Sequence, residues 1–199
     1  MTPTVSPIES LLTRTSLAGS FMKAPAPSDE ELQLILGAAQ RAADHDRLRP
    51  WRFFVVRPEH YEVFYDRLAE AATRVQGDPS RYERNRDKYR LVARAPLMVV
   101  AAAKIDTKAK VAPIEQAFAA AGAAQLVLNA AHALGYSAFL FSGAGVFDAP
   151  FKASLGLTPE DHLIGFICLG TANGPGKPGP SAKESIAAGI ASTVTQWSP

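Results

Sequence analysis

The sequence has little cysteine, little excess charge and no recognisable export signal. Cys168 is the only cysteine, so no internal disulfide can form and a disulfide scaffold is excluded. Hydrophobic residues make up 47% of the 199 residues and charged residues 20%, with a net charge of +2, which excludes collagen-like and disordered chains. The N-terminus has no basic segment followed by an apolar run. We therefore expect one globular domain over residues 1–199, located in the cytoplasm.

Charged residues are distributed unevenly along the chain. Twelve of the 13 arginines lie from Arg41 to Arg94, whereas residues 116–147 contain no Asp, Glu, Lys or Arg. The uncharged stretch is long enough to suggest a membrane span, but Gln125 and His132 interrupt it and Gly135 divides it. We interpret it as a buried helix followed by a buried strand, and expect no association with a membrane.

Apolar periodicity predicts strands that alternate with helices, which is typical of a three-layer α/β or α+β domain. Predicted helices cover residues 7–12, 28–43, 58–75, 77–94, 113–134 and 149–155, and predicted strands cover residues 53–56, 97–100, 137–141 and 162–169. The segment 171–199 is rich in Pro and Gly but ends in Val194 and Trp197. We expect this C-terminal arm to dock on a surface, which could belong to a partner subunit.

Most catalytic motifs are absent. Gly170 to Lys177 has the wrong spacing for a phosphate loop, and Ser142 has no preceding glycine of a nucleophile elbow. No dinucleotide fingerprint follows a predicted strand, and Cys168 lies in an apolar strand. The four histidines have no metal-ligand spacing. The sequence therefore predicts neither a metal site nor a catalytic side chain.

Cationic and hydroxyl side chains do cluster near predicted element boundaries. They are Arg14, Thr15, Ser16, Arg41, Asp44, His45 and Ser142. Arginine offers a planar fork of donors and Ser or Thr a short hydroxyl donor, which together suit a phosphate group. The alternative is that these residues are solvated charges and local helix caps.

Several short motifs, taken in order, resemble those of one family. They are Arg14-Thr15-Ser16, Pro25-Ala26-Pro27, Arg41-Ala42-Ala43-Asp44-His45, Arg49-Pro50-Trp51-Arg52-Phe53-Phe54, Arg94-Ala95-Pro96-Leu97, Glu115-Gln116, Gly135-Tyr136, Phe141-Ser142-Gly143, His162-Leu163-Ile164-Gly165-Phe166 and Leu169-Gly170-Thr171. In this order and spacing the sequence resembles the FMN-dependent nitroreductase family, in particular its small, single-domain bacterial branch of NAD(P)H nitroreductases. The resemblance spans nearly the whole chain.

The resemblance implies both a fold and an activity. The implied fold is an α+β, three-layer α/β/α sandwich that forms an intertwined homodimer, with C-terminal arms exchanged between subunits and one FMN at each end of the interface. The implied activity is a ping-pong reaction in which NADH or NADPH gives hydride to the flavin N5. A nitroaromatic, a quinone or a similar electron-poor small molecule then accepts the electrons. The flavin carries the chemistry, so no catalytic side chain is needed.

The resemblance also implies roles for individual residues. Arg14, Thr15 and Ser16 would hold the FMN phosphate and ribityl chain, while Arg41 and His45 would approach the cofactor from the other chain. Leu140, Phe141 and Ser142 would line the opposite side of the cofactor. The sequence departs from the family where Arg47 and Arg49 replace an Asn-x-Gln pattern, and where Leu140-Phe141 replaces Trp-Arg.

Two other functions remain open at this stage. One is a flavoprotein of the same fold with different chemistry, such as a dehydrogenase, a reductive dehalogenase or a flavin-breaking enzyme. The other is a binding module that contacts nucleic acid, but residues 41–94 hold 13 basic and 9 acidic residues, a poor footprint for that role. We expect no nucleic-acid partner, and interpret residues 77–94 as a solvated helix rather than a cationic approach for the nicotinamide cofactor.

Overall fold

The computed structural model describes residues 6–174 and 182–197. Helices alternate with strands for most of this length, as the apolar pattern predicts. The elements in chain order are α1 (Pro7–Thr13), β1 (Met22–Lys23), α2 (Asp29–Ala39), β2 (Trp51–Val56), α3 (Tyr61–Gln76), α4 (Tyr82–Val92), β3 (Leu97–Ala103), α5 (Pro113–Ala133), β4 (Ser137–Phe141), α6 (Ala149–Ser154), β5 (His162–Ala172) and α7 (Ala182–Thr193).

Strand β5 organises the sheet. It pairs with β3 along one edge, and with both β4 and β1 along the other, while β2 extends the sheet beyond β3. All of these pairings are antiparallel. Every residue of β3 is buried, because helices cover both faces of the sheet at this position.

Helices form a layer on each face of the sheet. Leu32 and Ile35 of α2 join Ala120 and Ala124 of α5 in one buried cluster, whose alanines let the helices approach closely. Residues of α3, α4 and α6 form the cluster on the other face, together with Phe166 of β5. This arrangement is the predicted three-layer α+β sandwich. Trp51 and Cys168 are buried in these clusters, which makes both residues part of the core.

Local sequence signals set two helix ends. The Ser28 hydroxyl accepts a hydrogen bond from the Glu31 amide at 3.2 Å, and the Glu31 carboxylate accepts one from the Ser28 amide at 2.8 Å. This capping box begins α2 at the place where the predicted helix begins. At the far end of α5, Gly135 has a φ of 86° and its amide bonds to the His132 carbonyl, so it ends the helix as predicted.

Several elements differ from the sequence prediction, among them β2 and β3, which begin earlier and end later than predicted, respectively. Helix α2 ends at Ala39 rather than at residue 43, because the Arg41 amide turns back to the Ala38 carbonyl. Strand β5 continues to Ala172 because its end pairs with β1, a two-residue strand that was not predicted.

The charged segment 77–94 is less solvated than predicted. Helix α4 buries Asn85 and Tyr89, and its Arg86 and Arg90 form ion pairs with carboxylates of α3 rather than with acidic residues of their own segment. The prediction of a solvated helix is therefore wrong for the face that packs on α3.

The C-terminal arm is described in part. Helix α7 was not predicted, and the chain after it exposes Val194 and Trp197, the latter with 85% of its surface accessible. Residues 175–181 and 198–199 of the predicted arm lie outside the described residues. Among the described helices, none is both long and apolar enough to cross a membrane.

Candidate functional site

The segment that follows α1 runs beside strand β4. Arg14 leaves the helix with extended backbone angles, and Ser16 then forms a parallel bridge with Ala138. The Leu17 amide donates a hydrogen bond to the Ala138 carbonyl at 3.3 Å. Residues 14–16 therefore lie along the edge of β4 that faces away from β5.

Arg14 presents an unsatisfied cation at this edge. Its Nη1 atom is inaccessible to solvent and has no hydrogen-bond partner among the described residues. A buried guanidinium N–H without a partner is costly, because it loses its hydrogen bonds to water and gains none from the protein. The geometry therefore favours an anionic ligand beside Arg14.

The other end of β4 supplies the second wall of the site. Leu140 and Phe141 end the strand, and Ser142 follows it. Ser142 lies four residues beyond Ala138, the bridge partner of Ser16, which corresponds to roughly 13 Å along the strand. The Phe141 ring is buried, with its centroid 5.1 Å from that of Phe166. Phe141 can therefore face a ligand only through its backbone.

Glycine and tyrosine residues hold this second wall in place. Gly165 of β5 has a φ of 153°, and a Cβ added to it would lie 2.5 Å from the Phe141 carbonyl oxygen. A Cβ added to Gly143 would lie 3.0 Å from the hydroxyl of buried Tyr89. The backbone at residues 141–143 thus has close neighbours on two sides.

Arg41 and His45 lie in a separate turn that follows α2. The His45 Nδ1 is 2.9 Å from a Glu115 carboxylate oxygen in the first turn of α5, and this contact, assisted by Asp46, raises the pKa of His45. The side chains of Arg41 and His45 are exposed. This turn is therefore anchored at the N-terminal end of α5.

The backbone of the same turn is strained. Asp46, Arg47 and Arg49 all have positive φ, at 60°, 56° and 47°. Such angles cost a non-glycine residue energy, and here the Asp44 carboxylate stabilises the turn by accepting a 2.6 Å hydrogen bond from the Arg49 amide. The two arginines that depart from the family pattern thus occupy the least relaxed part of the turn.

Within one chain the predicted residues form two groups. Arg14, Thr15, Ser16, Leu140, Phe141 and Ser142 lie along β4, close to the C-terminal end of α5. His45 contacts Glu115 in the first turn of α5, whereas Thr13 contacts His132 in its last turn, about 25 Å further along the helix. Within one chain Arg41 and His45 therefore lie far from Arg14.

The residues along β4, which we call the β4 group, show how far this chain suits FMN. A phosphate would satisfy the unpartnered Arg14 Nη1, and Thr15 and Ser16, the next two residues, are exposed. An elongated ligand could follow the strand from Arg14 towards Ser142. The β4 group fits the phosphate and chain of FMN, whereas Arg41 and His45 lie far from Arg14 within one chain.

A cavity of about 370 Å³ lies away from β4, beside the turn that follows α2. It is lined by Leu48, Arg52, Lys104, Ile105, Asp106 and Gln116. Across residues 6–174 and 182–197, no group of three or more His, Cys, Asp and Glu side chains is placed to hold a metal ion.

Sequence reasoning missed the residues that support the site. The Thr13 hydroxyl contacts His132 at 3.2 Å, although 119 positions separate them in the chain. Tyr89 belongs to a segment that the sequence suggested was solvated. Only Gly165 carried a signal, as a glycine within an apolar strand, which often marks a close backbone approach.

An antiparallel sheet between two helix layers, with an arginine at its edge whose Nη1 is buried and unpartnered among the described residues, defines an α+β protein with a candidate anion site. Within that class, the chain belongs to the Nitroreductase family, an oxidoreductase family, which it matches over residues 11–171. It is 34% identical to the Escherichia coli (strain K12) protein named "Putative NAD(P)H nitroreductase YdjA", over 82% of this chain and 87% of that protein. The predicted family is thereby confirmed.

Solved structures support the same fold. A nitroreductase with bound FMN from Bacteroides fragilis superposes with a TM-score of 0.71 at 20% identity, covering 97% of this chain and 99% of that one. A nitroreductase in complex with FMN from Desulfovibrio desulfuricans gives a TM-score of 0.62 at 25% identity, covering 89% and 94%. The predicted nitroreductase-like sandwich is confirmed at the level of the chain fold.

Proposed function

We propose that the protein is an FMN-dependent NAD(P)H oxidoreductase that reduces nitroaromatics, quinones or similar electron-poor small molecules. The observation that carries the proposal is the buried Arg14 Nη1, which has no partner among the described residues and is followed in the chain by exposed Thr15 and Ser16. The names of the relatives supply the chemistry, since the E. coli relative is named for NAD(P)H and two structural neighbours contain FMN.

In this proposal the role of the chain is to bind and orient FMN. When bound, FMN supplies the hydride and electron transfer, which is consistent with the absence of an acid–base pair in the site. Arg14 neutralises the phosphate, and Thr15 and Ser16 donate hydroxyl hydrogen bonds. The backbone of Leu140, Phe141 and Ser142 forms the wall against which the ring system packs. Donor and acceptor then use the same exposed face in turn, as a ping-pong cycle requires.

A homodimer completes the site in this proposal. The exposed face of α5 is uncharged over most of its length and carries Ile114 and Phe118, of which 56% and 66% of the surface is accessible. Ala121 and Gly122 lie on the same face and would let a second helix approach closely. Two antiparallel copies of α5 would bring the N-terminal end of one to the C-terminal end of the other. His45 of one chain would then approach Arg14 of its partner.

The C-terminal arm is part of the same proposal. A tryptophan exposed to 85% beyond α7 is costly to leave in water, and docking Trp197 on the other subunit would bury it. We place the protein in the cytoplasm, the compartment in which reduced nicotinamide cofactors are available and in which a single unpaired cysteine is usual.

The experiment is reduction of bound flavin followed by transfer to an acceptor. Purified protein is incubated with FMN, desalted, and mixed without oxygen with NADH or NADPH. We expect the flavin absorbance to bleach and to recover when a nitroaromatic or quinone is added, with parallel double-reciprocal plots in steady state. Bound flavin that no nicotinamide reduces would instead favour a same-fold flavoprotein with other chemistry, and flavin loss under turnover would indicate a flavin-breaking enzyme.

A further inference from the structure

His132 lies in the last turn of α5, beside the segment that carries Arg14. Its Nε2 is 3.2 Å from the Thr13 hydroxyl, and the same hydroxyl is 2.8 Å from the Glu9 carbonyl. A carbonyl can only accept, so the hydroxyl proton points to Glu9 and the oxygen accepts a hydrogen bond from His132 Nε2–H. The remaining ring nitrogen, Nδ1, is therefore the atom that can gain a proton.

The surroundings of His132 act in opposite directions on its protonation. Burial and the charge of Arg14 lower the pKa of His132 below its ordinary value. The C-terminal end of the helix favours a cation at the same place. A bound phosphate beside Arg14 would carry up to two negative charges against the single positive charge of Arg14, so the pKa of His132 would rise from its value in the free protein, although burial would still oppose the protonated form.

Few other charged groups from the packed elements reach this histidine. On α1, Glu9 is exposed at the start of the helix, and on α2 the Glu31 carboxylate accepts a 2.6 Å hydrogen bond from Tyr136. Helix α5 has no Asp, Glu, Lys or Arg after Glu115, and β4 has none at all. Among the described residues of one chain, Arg14 is the only charged group that shifts the pKa of His132. In the proposed dimer Arg41 and His45 of the second chain would also approach this place, and they would do so with either flavin bound.

We propose that His132 takes up a proton when a phosphate group binds at Arg14, so that the protein holds phosphate-bearing ligands more tightly as the pH falls. The inference rests on the proposed function for the identity of the ligand, the FMN phosphate. Riboflavin has the same ring system and ribityl chain without the phosphate, so its binding is not coupled to His132.

The sign of the coupling follows from linkage. Binding raises the pKa of His132, so the coupling is fully present below the pKa of the free protein and is lost as the pH rises through the higher pKa of the complex. Each unit of pKa increase corresponds to a tenfold gain in affinity at low pH.

The direct test is NMR titration of the histidine ring signals in the apoprotein, with FMN and with riboflavin. The His132→Gln variant assigns the His132 signal, and His60, exposed after β2, serves as the internal control. We expect the pKa of His132 to rise with FMN and to stay at its apoprotein value with riboflavin, while the His60 signal is the same in all three samples. Equal His132 titration with both flavins would overturn the inference.

Affinities give a second test with the same variant. The glutamine amide that replaces the imidazole in His132→Gln can still donate to Thr13 but cannot gain a proton, so positioning is kept and titration is removed. The FMN phosphate itself titrates near pH 6, but it does so with both proteins. We expect the ratio of wild-type to variant FMN affinity to rise several-fold from about pH 8 to about pH 5, and the riboflavin ratio to stay flat.

The outcomes separate this inference from the proposed function. Tight FMN binding with a pH-independent ratio would overturn the role of His132 and leave the flavoenzyme proposal intact. A protein that binds neither flavin would overturn the proposed function and this inference together.

Discussion

Replacing Arg14 with methionine changes ligand binding and stability in opposite directions. The substitution keeps much of the apolar stem and removes the guanidinium, whose Nη1 is buried and lacks a hydrogen-bond partner in the described part of the chain. A hydrogen bond to a charged group contributes about 1.5–3 kcal/mol, so we expect FMN affinity to fall by roughly ten- to 150-fold. Riboflavin affinity should change little, because riboflavin has no phosphate.

Stability distinguishes a binding role from a structural one. An unsatisfied buried cation destabilises the apoprotein, so the free energy of unfolding of Arg14→Met, measured in urea without flavin, should equal or exceed that of the wild type. Arg67→Met, on the exposed surface of α3, is the matched control and should alter neither flavin affinity. Equal losses of FMN and riboflavin affinity, or a less stable apoprotein, would refute the reasoning.

Three further substitutions test the fold and the assembly. Asp148→Asn removes a buried carboxylate that accepts hydrogen bonds from Arg74 at 2.8 Å and 3.0 Å. Urea unfolding at neutral pH should therefore show a free energy of unfolding lower by about 1–3 kcal/mol. Burial raises the pKa of Asp148, but its hydrogen bonds outweigh burial and hold the pKa below 3.8. The stability difference between Asp148→Asn and the wild type should therefore persist above pH 3.8 and vanish as the pH falls through the lowered pKa. Gly165→Ala forces a Cβ to within 2.5 Å of a β4 carbonyl and should cost about 2 kcal/mol or more together with flavin affinity, whereas Gly37→Ala, with open space around it in α2, should be neutral or stabilising in thermal melts. Phe118→Glu should yield monomers in sedimentation equilibrium that bind FMN weakly, and a dimer that keeps its affinity would contradict the proposed interface.

Much of the fold was predictable because local signals determine it. The capping box of Ser28 and Glu31 begins α2, and Gly135 ends α5 in the conformation that a helix end favours. The apolar runs that became β3 and β5 need cover on both faces, which only a three-layer arrangement provides. These features depend on neighbouring residues and so can be read without the tertiary structure.

The parts that were not predictable depend on contacts between distant residues. Strand β1 has only two residues and exists because the end of β5 lies beside it. Arg86 and Arg90 were predicted to be solvated because their partners lie on α3, far from them in sequence. The contact of His132 with the Arg14 segment has no local signal for the same reason.

The candidate site was predictable in composition more than in arrangement. The residue types around Arg14 suggested a phosphate, and the structure adds that the Arg14 Nη1 is buried and has no partner within the described residues. The separation of Arg41 and His45 from that group by the length of α5 follows only from the packing of α2 and α5. The grouping of eight residues in one site therefore remains a prediction for the dimer.

The most direct test of the account is the absorbance spectrum of the purified protein after incubation with FMN and desalting. We expect a yellow protein with retained flavin absorbance, which NADH or NADPH bleaches in the absence of oxygen. A protein that remains colourless after this treatment would contradict the assignment of the β4 edge as a flavin site.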